Sequence, residues 1–140
     1  KLAQRLDRFA AEQNRILPVL LEFNLGGEES KSGWDVSNIT NLDKIFPDIQ
    51  IVLDLPHLRV RGLMTMPPLG TDAEDSRRFF YQVRRLRERL ADQLPGGDWR
   101  ELSMGTSLDY AVAVEEGATL VRVGTAIVGE RSKRRHTPEE

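Results

Sequence analysis

LSMGTSLDYAVAVEEGATLVRVGTAIVG, Leu102 to Gly129, decides the fold. A strand is expected around RELSMG, from Arg100 to Gly105. SLDYAVAVEE reads as a short helix that Gly117 ends, and TLVRVGTAIVG reads as the next strand. A strand that reaches its successor through a helix implies parallel pairing with a right-handed crossover. Both strands close on the same chemistry, glycine with small hydroxyl residues: Gly105, Thr106 and Ser107, then Gly124 and Thr125. In parallel α/β proteins ligands sit at the carboxyl ends of strands. The glycines let backbone approach a ligand there, and Ser107 also stands where a helix is expected to start, at the positive end of its dipole. Two such stretches on consecutive strands make the two walls of a phosphate cup. The alternative is a plain turn and a plain helix cap. Arg122 lies inside the second apolar strand, so its side chain points away from the face that carries Val121 and Val123. A buried cation needs a partner, either a ligand or a structural carboxylate.

The same alternation runs upstream. Leu2, Leu6, Phe9 and Gln13 share a helical stripe, and LPVLLEFNL (17–25) is a buried strand. GGEESKSG (26–33) is a loop, and Gly26-Gly27 ends the first strand as Gly105 and Gly124 end theirs. Apolar positions from Asn41 to Leu55 recur at helical spacing, with Pro47 either kinking that helix or sitting in its first turn. LRVRGLMTM (58–66) is the next strand, stopped by Pro67-Pro68. Thr71 and Glu74 form a capping-box pattern before a helix whose stripe is Phe79, Val83, Leu86, Leu90 and Leu94. Its arginines lie mostly off that stripe and read as a solvated face. About four strands alternate with helices. A closed (β/α)₈ barrel takes roughly 250 residues, so 140 residues make part of one: the C-terminal half of a TIM-like barrel, with residues 1–130 as the barrel domain and 131–140 as a polar, basic tail.

Composition narrows the function. A net charge of −2 gives no reason to expect nucleic acid, and the absence of cysteine excludes disulfides and thiolate metal sites. No apolar run reaches the roughly 18 residues of a membrane span. His57 and His136 are far apart with no carboxylate cluster, so no metal is expected. Glu28 and Glu29 are adjacent in a loop and read as solvated rather than as a catalytic pair.

LLEFNLGGEESKSGW (20–34), LPHLRVRGLMTMPP (55–68) and the opening stretch resemble the pyridoxal phosphate homeostasis protein family. The resemblance runs over nearly all of the chain and implies an alanine-racemase-like barrel that binds pyridoxal 5′-phosphate (PLP). It implies that Ser107, Gly124 and Thr125 hold the phosphate, that Arg122 faces the pyridine nitrogen, and that Met64 lies near the pocket. It also implies that the lysine carrying PLP as a Schiff base sits on an early strand upstream of this chain. Lys1, Lys31, Lys44 and Lys133 are the lysines here, and Lys31 occupies a loop. Thr106 stands where the family pattern has Met. An arginine at the ring nitrogen keeps it unprotonated and weakens the ring as an electron sink. The expected role is thus intracellular PLP homeostasis or carriage, cytoplasmic and without catalytic turnover, with PLP-dependent apoenzymes as recipients. A racemase of the same barrel type and a cofactor-free phosphate-binding half-barrel are the alternatives. Tyr81 and Tyr110, both in expected helices, argue against racemisation. The full-length protein is expected to be a monomer, and this chain alone to self-associate through open strand edges.

Overall fold

A computed structural model describes residues 1–38, 42–68 and 70–130. Helix α1 (Leu2–Glu12) is followed by β1 (Leu17–Asn24), β2 (Trp34–Asp35), α2 (Leu42–Leu53), β3 (Leu58–Thr65) and α3 (Ala73–Gln93). The chain continues with β4 (Glu101–Thr106), α4 (Tyr110–Glu115), β5 (Leu120–Arg122) and α5 (Thr125–Val128). All strands are parallel, in the order β2-β1-β3-β4-β5. This is a partial barrel of the expected kind, with five strands where about four were predicted. The addition is β2, whose two residues are too few to show a pattern.

Parallel partners point to the same side of a sheet, so the register defines two faces. Leu21 pairs Leu63, which pairs Leu102, and all three are buried beneath the helices with Phe23, Phe80, Val83 and Leu90. Glu22 pairs Met64, which pairs Ser103. These three line the opposite face, the concave side of the partial barrel. Alternation along β5 places Leu120 and Arg122 on this inner face too.

Gly62 keeps that register. Val19 pairs Val60 but Leu20 pairs Gly62, leaving Arg61 as an extra residue in β3. At Gly62 φ is +152°, and a Cβ there would collide with the Glu101 carbonyl at the start of the β3–β4 pairing. A one-residue slip would exchange the two faces, so this glycine sets which side chains meet the concavity.

Several sequence expectations shift. Helix α3 is capped by Asp72, whose carboxylate accepts the Asp75 N–H at 2.8 Å. Thr71 lies one residue before the cap, and its hydroxyl donates to the Pro68 carbonyl at 2.7 Å. Pro47 lies within α2, not in its first turn, and burial of Leu42, Ile49 and Val52 carries the helix past it. Gln13 caps α1 at its C-terminus and is not part of its stripe. The expected final strand ends at Arg122, and Thr125–Val128 is helical. Val121, on the face opposite Arg122, is not covered by a helix and is 40 % exposed. Asn41, His136, Lys133 and the 131–140 tail lie outside the described residues.

The arginine-rich face of α3 is not simply solvated. Arg77 pairs with Glu74, Glu115 and Glu116, and Arg84 with Glu116, so the face ties α3 to α4.

Candidate functional site

Arg122 reaches from β5 across the carboxyl ends of the neighbouring strands. Its Nη1 donates to the Ser103 hydroxyl at 2.6 Å and to the Ser103 carbonyl at 3.1 Å, both on β4. Its Nη2 donates to the Thr65 carbonyl on β3 at 2.9 Å. All three acceptors are neutral, and the guanidinium forms no ion pair with a described residue. Partial burial lowers its pKa from the ordinary arginine value, while the more distant Asp109 and Glu22 carboxylates act in the opposite direction. The alternative of a structural carboxylate contact is therefore not what the geometry contains. These three contacts use three of the five N–H donors of the guanidinium.

Ser107 and Gly124 also meet. The Ser107 hydroxyl oxygen accepts the Gly124 N–H at 3.2 Å and the Ala126 N–H at 3.1 Å. Sequence reasoning paired Ser107 with Gly124 and Thr125. The second backbone donor is instead Ala126, because the chain turns into α5 there, and a backbone N–H carries no signature of its own. Thr125 is the exposed first residue of α5, and its carbonyl accepts the Gly129 N–H at 2.9 Å. Ser107 does not cap α4 as expected. That helix begins after Asp109, whose carboxylate accepts the Thr106 N–H at 2.7 Å and the Thr106 hydroxyl at 3.0 Å. The hydroxyl of Thr106 is thus consumed in the turn that carries Ser107.

The glycines divide by role. A Cβ on Gly124 would meet nothing within 4 Å, so its surroundings are open to a ligand. A Cβ on Gly105 would lie 2.6 Å from the Ala113 Cβ, so this glycine admits α4 and not a ligand. A Cβ on Gly26 would lie 2.6 Å from the Pro68 ring, which makes that glycine a loop-packing residue as well.

Met64 is half-buried on the inner face, in register between Glu22 and Ser103. Lys31 is engaged elsewhere. Its Nζ donates to the Pro67 carbonyl at 2.6 Å and the Met66 carbonyl at 3.3 Å, and pairs with the Glu28 carboxylate at 2.6 Å. Glu28 is therefore committed to Lys31, and forms no catalytic pair with Glu29. His57 sits by Asp7, whose carboxylate accepts the His57 N–H at 2.7 Å. Among the described residues no three His, Asp or Glu side chains group to hold a metal ion, and no helix is long and apolar enough to cross a membrane.

Sequence reasoning missed Ser103 and the Thr65 carbonyl. A signal for Ser103 was present: it alternates with Leu102 and Met104, which are fully buried on the helix side, so its hydroxyl had to face the cup.

The family "Alanine racemase, N-terminal domain" matches residues 1–132. The pyridoxal phosphate homeostasis protein of Aquifex aeolicus is 42% identical over 134 residues, covering 93% of this chain and 54% of that protein. The chain thus spans about half the length of the curated relatives it matches. The structure of PipY from Synechococcus elongatus with PLP bound is 36% identical and superposes with a TM-score of 0.76 over 90% of this chain and 55% of that one. The alanine racemase of Clostridium difficile, at 16% identity and a TM-score of 0.62 over 95% of this chain and 35% of that one, shares the fold.

Proposed function

The chain belongs to the family of the alanine racemase N-terminal domain, and from that premise we propose that it forms the phosphate and ring-nitrogen side of a PLP site. The role is PLP homeostasis or carriage without turnover. The match lies in the racemase's N-terminal domain.

The donor chemistry fits the cofactor. PLP offers an anionic phosphate and a pyridine nitrogen that accepts a hydrogen bond when unprotonated. Ser107, Gly124 and the first turn of α5 at Thr125 supply hydroxyl and amide groups suited to the phosphate. Arg122 supplies a cation for the nitrogen, and Met64 an apolar, polarizable surface beside the ring. Bound PLP acts as a strong electron sink when its ring nitrogen is protonated, and a fixed guanidinium opposes that protonation. The single observation that carries this reading is the guanidinium of Arg122, held by neutral acceptors on β3 and β4, on the strand whose end at Gly124 meets Ser107 from the end of β4.

Two further points favour carriage over racemisation. Tyr81 and Tyr110 lie on α3 and α4, both about half exposed and away from the inner face. Lys31 is tied to carbonyls and a carboxylate, which supports assigning the cofactor-bearing lysine to another strand. The relatives named homeostasis proteins and the PLP complex of PipY support the cofactor.

The test is PLP binding by the full-length protein, followed through cofactor absorbance, with Arg122→Ala alongside and an amino-acid racemisation assay. Binding that weakens in Arg122→Ala, with no racemisation, is expected. Absence of PLP binding, or racemisation at enzymatic rates, overturns the reading.

A further inference from the structure

We infer that Ser103 is a positioning residue for Arg122, holding its guanidinium on neutral acceptors and away from the carboxylates of Glu22 and Asp109. The inference rests on the PLP reading for its consequence, but not for its geometry.

Three observations carry it. The Ser103 hydroxyl, on a residue only 5 % exposed, makes the shortest of Arg122's contacts, at 2.6 Å. The third acceptor is itself fixed: the buried Thr65 hydroxyl donates to the Phe23 carbonyl at 2.9 Å, pinning the end of β3 to β1 and so orienting the Thr65 carbonyl. Two carboxylates act on Arg122 without touching it, Glu22 from β1 on the same face and Asp109 from the turn after β4. Asp109 is occupied by Thr106. Glu22 is the competitor. It stands in register with Met64 and Ser103, one strand beyond the carbonyl that Arg122 grips.

An arginine is drawn to a carboxylate when one is within reach, because a charge-assisted bond is stronger than a neutral one. Once paired it no longer presents a free positive edge to a ligand. Ser103 prevents this by satisfying Nη1 with two acceptors, side chain and carbonyl, at one point. Removing the hydroxyl leaves the guanidinium free to rotate toward Glu22. The rest of the cup is untouched.

The experiment uses the full-length protein and four variants, Ser103→Ala, Ser103→Thr, Ser103→Cys and Ser103→Ala combined with Glu22→Gln. Cysteine is included as a near-isosteric, weak acceptor should the alanine variant fail to fold. PLP affinity and the pH dependence of the bound cofactor's absorbance are read out, together with side-chain NMR of the Arg122 guanidinium without cofactor. Ser103→Ala and Ser103→Cys should bind about tenfold more weakly, the loss of one hydrogen bond to a charged group. The pH midpoint of the absorbance should shift, Ser103→Thr should behave as wild type, and Glu22→Gln should recover most of the loss. Without cofactor, guanidinium protons that exchange slowly in wild type should exchange fast in the alanine and cysteine variants. Affinity within twofold of wild type in both, or no recovery with Glu22→Gln, overturns the inference. Should wild type bind no PLP, the functional reading falls alone, and the lock is decided by the guanidinium exchange: unchanged exchange overturns it too.

Discussion

The hydroxyl oxygen of Ser107 lies 3.2 Å from the backbone nitrogen of Gly124, and the N–H of Ala126 meets the same oxygen at 3.1 Å. With its oxygen accepting both amides, the Ser107 hydroxyl keeps its own O–H as the donor that the proposed phosphate contact would use. Ser107→Ala should weaken PLP binding about tenfold and make it more easily displaced by inorganic phosphate, while costing the fold about 1 kcal/mol. Competition titrations with phosphate give the measurement. A variant indistinguishable from wild type in them removes Ser107 from the phosphate contacts.

Lys31 closes the loop after β1 onto the loop after β3 through two carbonyls and Glu28. Its side chain is largely buried, at 17% exposure, so truncation leaves acceptors unpaired. Lys31→Met should lower unfolding stability by about 1–2 kcal/mol, read from the denaturant midpoint. Borohydride reduction in the presence of PLP, followed by mass mapping, should leave Lys31 unmodified. A PLP adduct on Lys31 would mean that this strap opens and that the lysine, not the loop, is its purpose.

The Arg77 guanidinium holds the Glu74 carboxyl below the usual carboxylate range by direct hydrogen bonding. A depressed folded-state value adds stability that is present above the unfolded pKa and lost as pH falls through the folded one. The thermal midpoint should therefore drop on acidification from about pH 6 to about pH 3, and Arg77→Met should flatten part of that drop. Glu74 is well exposed, so its part in the drop is small. Equal slopes for wild type and variant would show that the Arg77–Glu74 pair adds nothing measurable.

The fold was legible wherever burial imposed a period. β3 follows its apolar run to within a residue, and the α3 stripe of Phe79, Val83, Leu86 and Leu90 is buried as its spacing requires. The orientation of Arg122 was legible because alternation forces it once Val121 and Val123 take the other face. Where burial is absent, the pattern misleads. Ile127 and Val128 look like strand residues, yet they are 76 % and 82 % exposed on a single helical turn that no core selects. In the candidate site the side chains could be read, but the Ala126 N–H and the Thr65 carbonyl could not, since backbone groups acquire direction only from the fold.

That exposed turn bears on how the chain behaves in isolation. β5 has no strand on its outer edge among the described residues, and β1 carries only the two residues of β2 on its own outer edge. Leu120 and Val121 on β5 are 47 % and 40 % exposed, next to Ile127 and Val128. No lysine stands along this edge, and Arg122, its one charge, turns inward to Ser103 and Thr65. An apolar, unpaired parallel edge is a template for another chain. The 140-residue chain alone should therefore self-associate, with an apparent mass on sizing chromatography that rises with concentration. Val121→Lys places a charge on the open edge while sparing Arg122 and the phosphate cup, and should shift the equilibrium toward the monomer. A concentration-independent monomer in wild type would show that the edge is covered from within the chain, and Val121→Lys would then change nothing in the elution profile.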